Sequence, residues 1–246
     1  MENAQLINLS RQAALRNQLN VVANNMANLT TTGYKTKRTL FEEFVMPVAE
    51  ATEFLAGDEN LSYVHDYGTA FHFSQGSVRE TGNPLDIAID GKGWFAIQMA
   101  DGTEAYTRNG SFHLTDTGML VEANGRPVLT EAGPIVFTRE DGLIDITRDG
   151  TIVSALGVRG QVRLVEFETP QEMQNIGENL FTHPDPLPVT ETRVFQGSLE
   201  QSNVVGVVEV THMIEITRAY ETVTKLMKDT DDLRQKAIQT LGRVEA

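Results

Sequence analysis

The chain has 246 residues with 20 basic and 34 acidic side chains, a net charge of −14, and no cysteine. That length is enough for one large or two modest domains with a real core, and the missing thiols exclude disulfide scaffolds, cysteine-ligated zinc and iron–sulfur clusters. The acidic balance argues against sequence-independent binding to nucleic acid, and no run of about 18 apolar residues is present to span a bilayer as a helix.

The charge is unevenly spread. Residues 1–40 hold Arg11, Arg16, Lys35, Lys37 and Arg38 against Glu2, whereas the stretch between residues 40 and 200 holds 9 basic against 25 acidic groups. A basic arm on an acidic body suits either a membrane-touching arm or ends built to meet each other and neighbouring copies. The first dozen residues lack the basic and apolar regions of a cleavable signal peptide, so export, if it occurs, is expected by another route.

In chain order, Leu15, Leu19, Val22, Met26 and Leu29 recur at alternating steps of four and three, the period of a coiled-coil seam, which predicts a helix. Gly33, after three threonines, is expected to cap it. Roughly opposite the seam lie Asn17, Asn20, Asn24 and Asn28. Asparagine is a poor helix former, so this stripe reads either as intersubunit amide bonding or as plain solvent exposure. Residues 37–82 look mostly irregular, with one alternating run at Thr69, Phe71 and Phe73.

From there turn dipeptides dominate: Asp90-Gly91, Asp101-Gly102, Asn109-Gly110, Asn124-Gly125, Asp141-Gly142 and Asp149-Gly150. They separate short apolar or alternating runs, the pattern of an antiparallel all-β domain, sandwich or barrel. Pro184, Pro186 and Pro188 predict an extended, stiff return path. Between Val204 and Val223 strand propensity and helical period disagree. The spacing of Met213, Ile216, Tyr220, Val223 and Met227 favours helix, with Ser202 or Asn203 as N-cap. Leu226, Leu233, Ala237 and Leu241 extend it, and Gly242 closes it. Arg218 is placed to pair with Glu215 or Glu221 on that helix. The expected fold class is therefore α+β: terminal helices forming a coiled-coil-like core around a central antiparallel β domain. The segments are 1–36 helical, 37–82 linker, 83–183 β domain, 184–198 return and 199–246 helical.

Signs of chemistry are weak. Gly91-Lys92-Gly93-Trp94-Phe95-Ala96 fits a dinucleotide-loop pattern, but it runs into a strand-like stretch where that motif must open a helix. The five histidines include no pair spaced i, i+4 for a metal, and the pairs Glu42-Glu43 and Asp231-Asp232 read as solvated charge. No enzyme activity, metal or cofactor is expected.

Three stretches are more telling. Ala23-Asn24-Asn25-Met26-Ala27-Asn28 with Thr32-Gly33-Tyr34-Lys35, and Gly197-Ser198-Leu199-Glu200-Gln201-Ser202-Asn203-Val204 with Arg218-Ala219-Tyr220-Glu221, resemble the amino- and carboxyl-terminal signatures of the bacterial flagellar rod and hook proteins. Pro84-Leu85-Asp86-Ile87-Ala88-Ile89-Asp90-Gly91 and Tyr106-Thr107-Arg108-Asn109-Gly110-Ser111-Phe112 are similar to the core of that family's β domain. The length and the opening Leu9-Ser10-Arg11-Gln12-Ala13-Ala14-Leu15-Arg16 look most like its proximal-rod members.

The resemblance implies a torque-transmitting subunit of the periplasmic rod, exported by the flagellar type III apparatus without a cleaved signal. Its partners would be other copies and other axial proteins, with neither nucleic acid nor membrane insertion. The interface is then expected on Leu15, Leu19, Val22, Asn24, Asn25, Met26, Asn28, Leu29 and Gly33, and on Glu200, Ser202, Asn203, Met213, Ile216, Arg218, Tyr220, Glu221, Val223 and Met227. The competing readings are another axial subunit of the same family, such as the distal rod protein, a small-molecule enzyme on the β domain, and a peripheral-membrane protein using the basic arm.

Overall fold

The computed structural model describes residues 2–46, 61–189 and 191–241. It has two long helices, α1 (Glu2–Ala27) and α2 (Gly206–Leu241), with antiparallel strands between them, an α+β arrangement. The chain divides into two compact units. A helical unit comprises Met1–Ala27, Lys37–Ala70 and Val205–Ala246, and a β unit comprises Asn28–Thr36 and Phe71–Val204.

In the β unit, a six-stranded antiparallel sheet runs in the order Gln174–Gly177, Leu180–Thr182, Glu104–Thr107, Trp94–Gln98, Leu164–Glu166, Leu187–Pro188. Side chains alternate across it, as a period of two requires. Phe95, Ile97, Ala105, Leu164 and Leu180 join one buried cluster with Ile87, Phe112 and Ile152. Trp94, Ala96, Tyr106, Val165 and Phe181 join a second with Phe167 and Met173. Both faces of the central strands are therefore covered, and this explains why Trp94–Gln98 is almost continuously apolar. Trp94–Gln98 being a strand also disposes of a helix-opening dinucleotide loop at Gly91.

Five of the six turn glycines named above have positive φ. Gly110 is the exception, and close approach explains it: a Cβ there would lie 1.7 Å from the Ile87 carbonyl oxygen.

Three expectations are corrected. Among its described residues the stretch 37–82 is mostly strand rather than irregular: Thr36–Met46 pairs with Leu61–His72, and Val78–Glu80 pairs antiparallel with Ser198–Glu200. Its β-branched and aromatic residues suit strands, but Lys37, Arg38, Glu42 and Glu43 interrupt the alternation that would reveal them. The first helix ends at Ala27, six residues before Gly33, because Asn28 starts a turn, with Thr31 donating its N–H to the Asn28 carbonyl at 3.2 Å. Gly33 nonetheless has φ +66°. Finally, Val205 rather than Ser202 or Asn203 holds the N-cap position of α2, since its carbonyl accepts from Val208 and Glu209 at 3.0 and 3.1 Å. The expected cap at Gly242 lies outside the described residues.

Candidate functional site

Within the β unit, parts of the three quoted stretches meet at one buried carboxylate. Glu200, at the end of Ser198–Glu200, is fully buried. Its Oε1 accepts from Lys35 Nζ at 2.6 Å and from the Gly76 N–H at 2.9 Å; its Oε2 accepts from Arg108 Nη1 at 3.2 Å. Lys35 also donates to the Ser74 carbonyl at 2.8 Å, and Arg108 Nη2 to the Gly91 carbonyl at 2.6 Å. The Arg108 guanidinium lies 5.4 Å from the centre of the Trp94 ring, within cation–π range.

Two cations thus share one anion out of water. Burial pulls Lys35 below its ordinary value, and the Glu200 carboxylate opposes that pull. Such a network tolerates no missing member, because removing one partner of a buried pair costs about 3–5 kcal/mol. It offers no free nucleophile; what it does is fix three distant segments to one another. The backbone joins in, with Gly33 N–H donating to the Glu200 carbonyl at 2.8 Å. A Cβ on Gly33 would sit 2.5 Å from the Arg108 backbone, so glycine is required by contact as well as by φ. Asn203 completes the set: its Oδ1 accepts from the Thr36 N–H at 2.7 Å and the Thr36 hydroxyl at 2.6 Å, and its Nδ2 donates to the His72 carbonyl at 2.7 Å. Ser202 is buried, and its hydroxyl accepts from the Val204 N–H at 3.3 Å.

In the helical unit α1 and α2 run antiparallel. Gln12 Nε2 donates to Thr224 Oγ1 at 3.1 Å midway along the helices, and Asn25 Nδ2 to Glu209 Oε2 at 3.2 Å where α1 ends and α2 begins. Asn25 is buried and also exchanges hydrogen bonds with the Lys37 backbone, donating to its carbonyl and accepting from its N–H, both at 2.9 Å. Of the predicted seam, Val22 and Val223 are buried, while Leu15, Leu19, Met26, Met213, Ile216, Tyr220 and Met227 are half-buried. Leu15, Val22 and Ile216 line an open groove of about 690 Å³ with Glu209 and His212.

Leu29, Asn24, Arg218 and Glu221 are exposed and Asn28 is half-buried in the turn after α1. Asn25, buried at the meeting of the two helices, lies off the stripe of Asn17, Asn20, Asn24 and Asn28. Arg218 forms no salt bridge with Glu215 or Glu221 among the described residues. Both helices also carry large apolar residues that stay open to solvent: Leu6 and Leu9 are 51% and 54% exposed, and Leu226, Leu233 and Ile238 are 52%, 66% and 70% exposed.

Comparison with known proteins places this geometry. A flagellar basal-body rod protein FlgF of Caulobacter vibrioides is 40% identical over 249 residues, covering 99% of this chain and 100% of that protein. The chain belongs to the flagellar rod and hook protein family. A FlgF of Mesorhizobium japonicum is 33% identical over 98% of the chain and 99% of its own length, and a FlgG of Buchnera aphidicola is 33% identical over 90% and 93%. Three family patterns match separate segments: Flagella basal body rod protein over residues 6–35, Flagellar hook protein FlgE/F/G D1 domain over 88–154, and Flagellar basal body rod FlgEFG protein C-terminal over 196–240. Each of these rod-family segments contributes one charge to the buried knot: Lys35, Arg108 and Glu200.

Sequence reasoning names Glu200 and Gly33, but as residues of an interface with other subunits, whereas both lie in this buried knot of the β unit; it does not name Lys35 or Arg108 as site residues. The available signal was a lone charge inside each stretch, set among small and uncharged residues.

Proposed function

We propose that this chain is a structural subunit of the flagellar basal-body rod, of the FlgF type, which assembles through the two terminal helices into a torque-transmitting shaft. The observation that carries the reading is the pair of helices with large apolar side chains left open, in a chain alignable end to end with basal-body rod proteins. Covering a leucine or isoleucine contributes about 1.5–3 kcal/mol, so five such residues supply a real driving force once a neighbour provides the other wall.

In this reading the partners are further copies and other axial proteins, the helices pack as a coiled-coil-like core, and delivery is by the flagellar export apparatus to the periplasmic rod. The interface centres on the seam from Leu15 to Met26 and from Met213 to Met227, widened by Leu6, Leu9, Leu226 and Leu233. The buried knot of Lys35, Arg108 and Glu200 holds the β unit in one arrangement.

A strain lacking the chain, complemented with Leu6→Glu/Leu233→Glu, tests the proposal. The expected result is a stable, folded chain, absent from isolated basal bodies, and a non-motile strain. Full motility with normal incorporation of that variant would refute assembly through these helices.

A further inference from the structure

We infer that residues 71–76 form a latch over one face of the β unit, closed only when the segment following α1 and the segment preceding α2 are both in place. The latch follows from the β unit alone and holds whether or not the chain assembles into a rod.

The strap begins at the end of the strand Leu61–His72 and crosses to Val78–Glu80. Over this stretch side chains from remote segments hold its backbone. The His72 carbonyl accepts from Asn203 Nδ2 at 2.7 Å, and the Ser74 carbonyl accepts from Lys35 Nζ at 2.8 Å and from Asn203 Nδ2 at 3.1 Å. The Gly76 N–H donates to Glu200 Oε1 at 2.9 Å. Lys35 belongs to the amino-terminal segment, whereas Glu200 and Asn203 belong to the carboxyl-terminal one. Without the carboxyl-terminal segment the His72 carbonyl and the Gly76 N–H lose these partners; without the amino-terminal one the Ser74 carbonyl keeps only Asn203, and buried Glu200 loses the lysine that ties it to the strap.

What the strap covers is aromatic. Phe73 stands edge-on to Trp94 at 5.5 Å and to Phe181 at 5.6 Å, and Phe71 meets Phe181 at 5.0 Å. Trp94 is the chain's sole tryptophan. Lifting the strap uncovers Trp94 and Phe181 while leaving the ladder between Trp94–Gln98 and Glu104–Thr107 untouched. Local opening of this kind, separate from global unfolding, is expected of a segment held by few and mostly side-chain bonds.

The test uses the full chain and reads amide hydrogen exchange together with acrylamide quenching of Trp94. Asn203→Asp keeps the acceptor for Thr36 but removes both donations to strap carbonyls. It should speed exchange at residues 71–76 at least tenfold, leave residues 94–98 protected, and raise quenching of Trp94 at least twofold. Glu200→Gln, which also breaks the buried charge balance, should do the same or more. Should that variant fail to fold, Asn203→Asp still decides, because its amide lies outside the charge network. Unchanged exchange at 71–76 in Asn203→Asp, or equal acceleration at 71–76 and 94–98, would overturn the latch.

Discussion

Gly33 shows how tightly single residues are specified where the rod-family segments meet. With φ +66° and no space for a Cβ against Arg108 and Asn109, Gly33→Ala should lower stability by at least about 2 kcal/mol, read as a drop in the urea midpoint of the β unit. Asp141 offers a test by pH. The Thr138 N–H at 2.7 Å is the main influence holding its carboxyl below the ordinary 3.8, helped by the hydroxyls of Ser154 and Thr138 and by Arg159. A depressed folded value means its contribution is fully present above the ordinary value and is lost as pH falls below it. Stability measured by urea unfolding should therefore fall as the pH drops below about 4, and Asp141→Asn should show a shallower fall there.

Among the elements, the helices separate what stabilises one molecule from what joins several. Leu226 and Leu233 are more than half exposed, so Leu226→Ala/Leu233→Ala should shift unfolding of the isolated chain by only about 0.5 kcal/mol. The same variant should abolish or greatly weaken self-association in sedimentation velocity. Both helices were legible in the sequence because the three-four spacing outweighs the β-branched residues of α2, as tertiary packing commonly overrides propensity. The hairpins were legible because Asp-Gly and Asn-Gly mark them. The strand pair Thr36–Met46 and Leu61–His72 was not, since charged residues blur its alternation. The knot was only half legible: nothing local to Lys35 or Arg108 reveals that each will be buried against a glutamate, in the case of Lys35 one that lies 165 residues away.

At the scale of the whole molecule, the helical and β units are interleaved in sequence, which sets where the chain can be cut. Residues 28–36 belong to the β unit and carry Gly33, Lys35 and Thr36. Removing residues 2–27 should leave the β unit folded while ending assembly, whereas removing 2–36 should also destabilise the β unit, because Glu200 then loses Lys35. Thermal unfolding followed by Trp94 fluorescence distinguishes the two truncations.

The antiparallel course of α1 and α2 brings the amino-terminal end of one beside the carboxyl-terminal end of the other. Tension applied between those extremities would unzip the pair turn by turn, each contact yielding in sequence. A load entering sideways along the leucine face would instead shear many contacts at once and meet far greater resistance. Single-molecule pulling from the two tips should accordingly give low, sawtooth-free rupture of the helical pair.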